Sequence, residues 1–125
     1  MSGRVIHFEV PADDAERAKQ FYTDAFGWQI QSMPDLGYHL VSTCETDEKG
    51  MPRDPGSING GMFEREGELD RPIITIHVDD MAQALARVES LGGSTVRGKE
   101  PVADMGFAAY FKDSEGNLMG MWQDA

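Results

Sequence analysis

The sequence predicts an α+β fold: two tandem βαβββ modules forming a cupped mixed β-sheet, with the helices on its outer face. Three observations carry that prediction. Short apolar/polar alternations are interleaved with runs of helical period. The first strand-and-helix pattern recurs without a gap, with Asp13-Asp14 falling on Asp79-Asp80 and Gly27 on Gly93, an offset of 66 (79 − 13 = 93 − 27). A charged, breaker-rich stretch, "EREGELDRP", lies between the two copies. A chain of 125 residues is near the common size of one domain, so a single domain, 1–125, with module one at 1–65 and module two at 72–125 is expected.

The elements follow in order. In "RVIHFEV", Ile6, Phe8 and Val10 alternate with His7 and Glu9, the signature of a half-buried strand. "PADDAERAKQFYTDAFG" reads as a helix. Asp13 or Asp14 serves as N-cap, Glu16 stands three residues after Asp13 as a capping box requires, and Gly27 closes the helix. Ala15, Ala18, Tyr22 and Ala25 share one helical face, flanked by Phe21 and Phe26. "WQIQSM" and "YHLVST" read as strands around the turn "PDLG", and "SINGGMFER" as a strand interrupted by glycine, after a polar connection over 44–57. In the second copy, Ile74, Ile76 and Val78 form the apolar face of a strand. Asp79-Asp80 start a helix striped by Met81, Ala84, Leu85, Val88 and Leu91, and Gly92-Gly93 end it. "STVRG", "FAAYFKD" and "NLMGMWQ" complete the module, with "DSEGN" as a hairpin turn.

A net charge of −11 without any cluster of Lys or Arg excludes a nucleic-acid partner, because phosphate binding needs a basic patch. The single cysteine, Cys44, leaves no disulfide framework and no cysteine-based metal site. No apolar run has the length of a signal core or a membrane span, so a soluble, cytoplasmic protein without membrane contact is expected. P-loop, dinucleotide, nucleophile-elbow and zinc spacings are all missing.

If Ile6, Phe8 and Val10 pack under the helix, His7 and Glu9 face the cup, and their repeat partners are Ile73 and Thr75. His77 shares the parity of that pair. Gly60, Gly61 and Gly120 mark a bulge or close backbone approach, or leave room on the cup floor, and Phe63, Trp122 and Tyr110 border it as aromatic walls of a small-molecule pocket or as ordinary core. His39 belongs to the surface or a sheet edge. His7 is then either a hydrogen-bonded core imidazole, a ligand contact, or an acid/base with Glu9 as its partner.

The duplicated module with a histidine in its first strand resembles the vicinal oxygen chelate superfamily, which groups glyoxalase I, bleomycin-resistance proteins and extradiol dioxygenases. The resemblance rests on "VIHFEVPADDAERAKQFYTDAFGWQI", "VDDMAQALARVESLGG" and "AAYFKDSEGNLMGMWQ", the last with Ser114 where the family usually has proline. Metal-dependent members hold the ion from the first and fourth strands of each module. Here those positions are His7, Ile73, Gly61 and Gly120, of which only His7 carries a donor, so the resemblance implies no usual metal site and no cofactor. A non-standard site of His7, Glu9 and His77 would need a bent strand, because residues two apart on one strand are separated by about 6–7 Å.

Two functions follow from the resemblance. One is binding of a small organic molecule, aromatic or cationic, in the cupped sheet without the usual metal. The alternative is a glyoxalase-like enzyme, of lyase or isomerase type, using His7 with Glu9 as acid/base or as part of a non-standard metal site. The family also implies a homodimer, and a connection, here "RGKEPVADMGF", that overhangs the cup with Met105 and Phe107 as candidates.

Overall fold

A computed structural model describes residues 3–125. The elements run β1 (Val5–Ala12), α1 (Ala15–Phe26), β2 (Gln29–Met33), β3 (Tyr38–Ser42), β4 (Gly60–Glu64), β5 (Ile73–His77), α2 (Met81–Ser90), β6 (Ser94–Val102), β7 (Gly106–Lys112) and β8 (Leu118–Asp124). The chain divides into two compact units. One comprises residues 7–72, and the other joins residues 3–6 to residues 73–125.

Both units repeat one α+β topology, each with parallel and antiparallel strand pairs. In the first, the strand order is β1-β4-β3-β2. β1 runs parallel to β4, while β3 is antiparallel to β4 and to β2. In the second the order is β5-β8-β7-β6, again with one parallel pair followed by two antiparallel ones. A parallel neighbour needs a crossover, and the helix between the first two strands of each module is where the chain turns back.

The capping signals hold, with one shift. Asp14, rather than Asp13, caps α1 by accepting from the Arg17 amide, and Gly27 ends it at a left-handed φ of 76°. Asp13 is instead paired with Arg65 at 2.9 Å, and with Asp14 as the cap the third helical position is Arg17, so the expected capping box with Glu16 does not form. Asp80 caps α2 through the Gln83 amide.

In the first unit, Ala12, Val41 and Met62 form a buried cluster onto which Phe8, Val10, Ala18, Tyr22, Trp28 and Ile30 pack. Tyr22 stacks on Trp28 with ring centroids 4.6 Å apart. The Phe8/Val10 face of β1 therefore lies under α1, as the alternation predicts, and His7 and Glu9 face the other way. In the second unit, Met81, Leu85, Ala109, Phe111 and Met121 make the core, with Ile76, Val78, Ala84 and Val88 against it.

Three expectations about module two are corrected. Ile74 is 47% exposed instead of lying under α2, and Leu91 is 71% exposed. Leu91 sits past the last helical residue at φ −105°, where the helical period no longer directs its side chain. Residues 98–102, expected to overhang the sheet, continue β6 with two register shifts. β6 lies at the end of the strand order, and Pro101 is tolerated there because an edge strand does not need every ladder donor. Phe107 consequently packs on the α2 side, with the Lys99 ammonium 4.3 Å from its ring centre, and does not overhang the opposite face.

Candidate functional site

On the α1-free face of the first unit, strand register builds a hydrogen-bonded chain that involves both histidine-strand candidates. Glu9 is opposite Gly61 across the parallel β1/β4 pair, and Gly61 is opposite Leu40 across β4/β3. Tyr38, two residues from Leu40 on the same face, extends its ring over Gly61. Its hydroxyl donates to Glu9 Oε2 at 2.6 Å and stands 2.9 Å from His7 Nε2. Gly61 is what admits it, because a Cβ there would fall 1.7 Å from the Tyr38 hydroxyl oxygen. The room that the sequence assigns to a ligand at Gly61 is thus filled by Tyr38. Sequence reasoning passed over Tyr38, although its parity with Leu40 and Ser42 places it on the His7/Glu9 face.

Glu9 is 6% exposed, so the Tyr38 hydroxyl supplies a partner to a carboxylate that burial would otherwise penalise. Burial also holds the His7 imidazole below its ordinary value of 6.5, and the nearby Glu9 charge pulls it partly back up. The sign of the linkage follows. As pH falls through the ordinary value, the unfolded chain gains a proton at His7 while the folded chain resists it, so stability drops between that value and the lower folded one. His7→Gln should remove up to about 1.4 kcal/mol of stability loss per pH unit in that window. Urea unfolding of both proteins on either side of pH 6.5 checks this; parallel pH profiles would contradict it.

Beside His7 the same unit holds a cleft of about 520 Å³. Its floor comes from Gln29, Gln31, Leu40 and Ser42 on β2 and β3. Thr46, Gly50 and Asn59 of the β3–β4 connection form part of its wall. The foot of that connection is pinned by Thr43, whose amide donates to Asn59 Oδ1 at 3.0 Å and whose hydroxyl donates to the Ile58 carbonyl at 2.9 Å. The polar stretch that the sequence offers only as a linker therefore supplies a wall. His39 faces the α1 side, its Nδ1 3.0 Å from Ser32 Oγ. Phe63 is buried on the Gly61 face.

In the second unit, the space at Gly120 is occupied by its neighbours: a Cβ there would meet Thr75 Oγ1 at 2.9 Å and Ile73 Cγ2 at 3.3 Å. Thr75, the repeat partner of Glu9, is likewise 6% exposed. His77 Nε2 is 2.9 Å from Asp124 Oδ2, and the Trp122 indole donates to Asp124 Oδ1 at 2.9 Å. His77 first, and Trp122 second, hold the Asp124 carboxyl below the usual carboxylate range. Tyr110 pairs with Gly120 across β7/β8. Of the sequence candidates, then, His7, Glu9, Gly61 and Phe63 share the face of the first unit, and Ile73, Thr75, His77, Tyr110, Gly120 and Trp122 belong to the second.

Of the four positions from which the superfamily holds a metal, Ile73, Gly61 and Gly120 offer no side-chain donor, and His7 Nε2 is engaged by Tyr38. Among the described residues no three His, Cys, Asp or Glu side chains gather in a metal-holding group. The residues present do not fit the superfamily's metal centre. Among the described residues no helix is long and apolar enough to cross a membrane.

Comparison with known proteins agrees with this architecture. The bleomycin resistance protein-like N-terminal family model matches residues 4–44, the stretch that carries His7, Glu9 and Tyr38. A glyoxylase-like domain-containing protein of Didymella fabae is 30% identical, over 94% of this chain and 91% of its own length. Anthracycline biosynthesis protein DnrV of Streptomyces peucetius is 26% identical over 97% of this chain, which spans only 47% of DnrV. The solved structure of a glyoxalase/bleomycin resistance protein/dioxygenase superfamily member from Vibrio splendidus 12B01 matches with a TM-score of 0.62 at 17% identity, covering 99% of this chain and 100% of that one. The chain belongs to the glyoxalase-like family, within the glyoxalase/bleomycin resistance/dioxygenase superfamily.

Proposed function

We infer that the chain binds a small, uncharged organic molecule in the first-unit cleft, without a resident metal. The observation that carries this reading is the lining itself. The cleft, at about 520 Å³, falls in the range of small-molecule sites, and no Lys, Arg, Asp or Glu is among the residues that line it. Its amide, hydroxyl and imidazole groups orient a ligand, and Leu40 supplies apolar contact. The acidity of the chain suggests a cationic ligand, but that charge is carried elsewhere, and Glu9 is capped by Tyr38. A family model named for bleomycin resistance and a relative named for anthracycline biosynthesis favour an organic small molecule. The absence of donors at three of the four superfamily metal positions supports the metal-free part of the reading.

The second reading, acid/base catalysis by His7 in a glyoxalase-like enzyme, draws on the Glu9–Tyr38–His7 chain, because a held imidazole beside a cleft is a candidate proton acceptor. His7 and Glu9 are bridged by Tyr38, so Glu9 acts on the imidazole through it.

Ligand-observed NMR with neutral, cationic and anionic substituted benzenes tests the first reading, with Leu40→Arg as the blocked control. Neutral members should bind the parent chain, and Leu40→Arg should abolish that binding. Equal binding to both proteins, or a preference for charged members, would contradict it.

A further inference from the structure

We propose that Tyr38 and Glu9 act as a tautomer lock on His7, making Nδ1 a bare acceptor that selects ligands presenting an O–H or N–H donor to the cleft. The inference rests on the cleft reading above and names the ligand chemistry that reading leaves open.

A carboxylate oxygen accepts only, so the Tyr38 hydroxyl, 2.6 Å from Glu9 Oε2, points its proton there. The hydroxyl has one proton. Towards His7 Nε2, at 2.9 Å, the phenolic oxygen is therefore the acceptor, and Nε2 carries the hydrogen. A neutral imidazole has a single N–H, which leaves Nδ1 with an exposed lone pair. Among the described residues Nδ1 has no hydrogen-bond partner, and no buried polar side-chain atom among them lacks one, so Nδ1 is open to solvent. His7 borders the cleft, which gives that lone pair a place to act. Gly61 belongs to the device, because only a residue without Cβ lets the Tyr38 hydroxyl sit between the two strand residues. Tyr38 and Glu9 are thus positioning residues, and His7 is the group that meets the ligand.

Long-range ¹H–¹⁵N NMR of the full chain near neutral pH reads the lock directly, with phenol and anisole as matched probes that differ in one donor. In the parent chain, His7 should show a protonated Nε2 and an unprotonated Nδ1. Phenol should shift the Nδ1 resonance and bind roughly fivefold to tenfold more tightly than anisole, the worth of one ordinary hydrogen bond. Tyr38→Phe, which keeps the ring, should give mixed tautomers and bring the two probes to equal affinity. An Nδ1–H tautomer in the parent chain would overturn the lock whatever binds. The expected tautomer with equal phenol and anisole affinity would overturn the selectivity and leave the cleft reading standing. Failure of both probes to bind would overturn the cleft reading and the selectivity with it. The parent-chain measurements decide the matter even where Tyr38→Phe does not fold.

Discussion

Gly60→Ala is expected to cost about 3 kcal/mol or more of folding stability, the upper range for an overpacked core position. A Cβ at Gly60 would fall 2.4 Å from the Phe8 carbonyl oxygen and 2.8 Å from two carbons of the Phe8 ring. Phe8 is the register partner of Gly60 in the parallel β1/β4 pair, and its ring packs in the core under α1. Neither contact can be relieved by swinging a side chain into solvent. The carbonyl belongs to the backbone of the strand that carries His7 and Glu9, so relief means moving β1 itself. Against a usual total of about 5–15 kcal/mol, the loss should appear as a melting temperature lower by about 10–15 °C. Calorimetry of the variant reads it, and an unchanged melting temperature would contradict the close approach of β1 and β4.

The next residue predicts the opposite kind of failure. Gly61→Ala places its Cβ on the Tyr38 hydroxyl, the far end of a side chain that can rotate away. The expected result is a folded protein in which Tyr38 leaves its position and both hydrogen bonds, to Glu9 and to His7, are lost. Glu9 then loses that partner while remaining on a buried strand, and about 2 kcal/mol of stability goes with the charge-assisted bond. The site effect is larger than the stability effect: His7 loses its Nε2 anchor, and any preference between phenol and anisole should vanish. Denaturant unfolding together with the His7 nitrogen spectrum checks both parts. A variant with an unperturbed His7 spectrum would contradict the placement of Tyr38 over Gly61. Two adjacent glycines therefore serve separate ends, one on each face of the same strand.

Much of this arrangement is written in local sequence. The alternation of β1 alone separates Phe8 and Val10 from His7 and Glu9, and Asp14, Asp80 and Gly27 announce their helix ends because capping is chemistry within four residues. Tyr38 was harder to read because its partners lie 29 and 31 residues away and meet it only through the register of three strands. Parity did point to it, since Tyr38, Leu40 and Ser42 alternate with His39, Val41 and Thr43. His39, between Tyr38 and Leu40, faces the other side. The cleft wall was invisible for a different reason. The β3–β4 connection has no periodicity, and its path is set by a few bonds, such as those of Thr43 to Asn59 and Ile58. In module two, Gly120 reads as vacant space or as a bulge or close backbone approach, and Thr75 and Ile73 close the space, a fact of three-dimensional packing that no spacing rule encodes.

The central claim is that ligand binding belongs to the first-unit cleft at His7. The most direct test is a crystal structure of the chain soaked with the neutral aromatic that binds best in the NMR series. The account predicts ligand density between Leu40, Gln31 and the β3–β4 connection, with a donor atom within hydrogen-bond distance of His7 Nδ1. Density on the β7–β8 face at Tyr110 and Trp122, with the first-unit cleft empty, would contradict it.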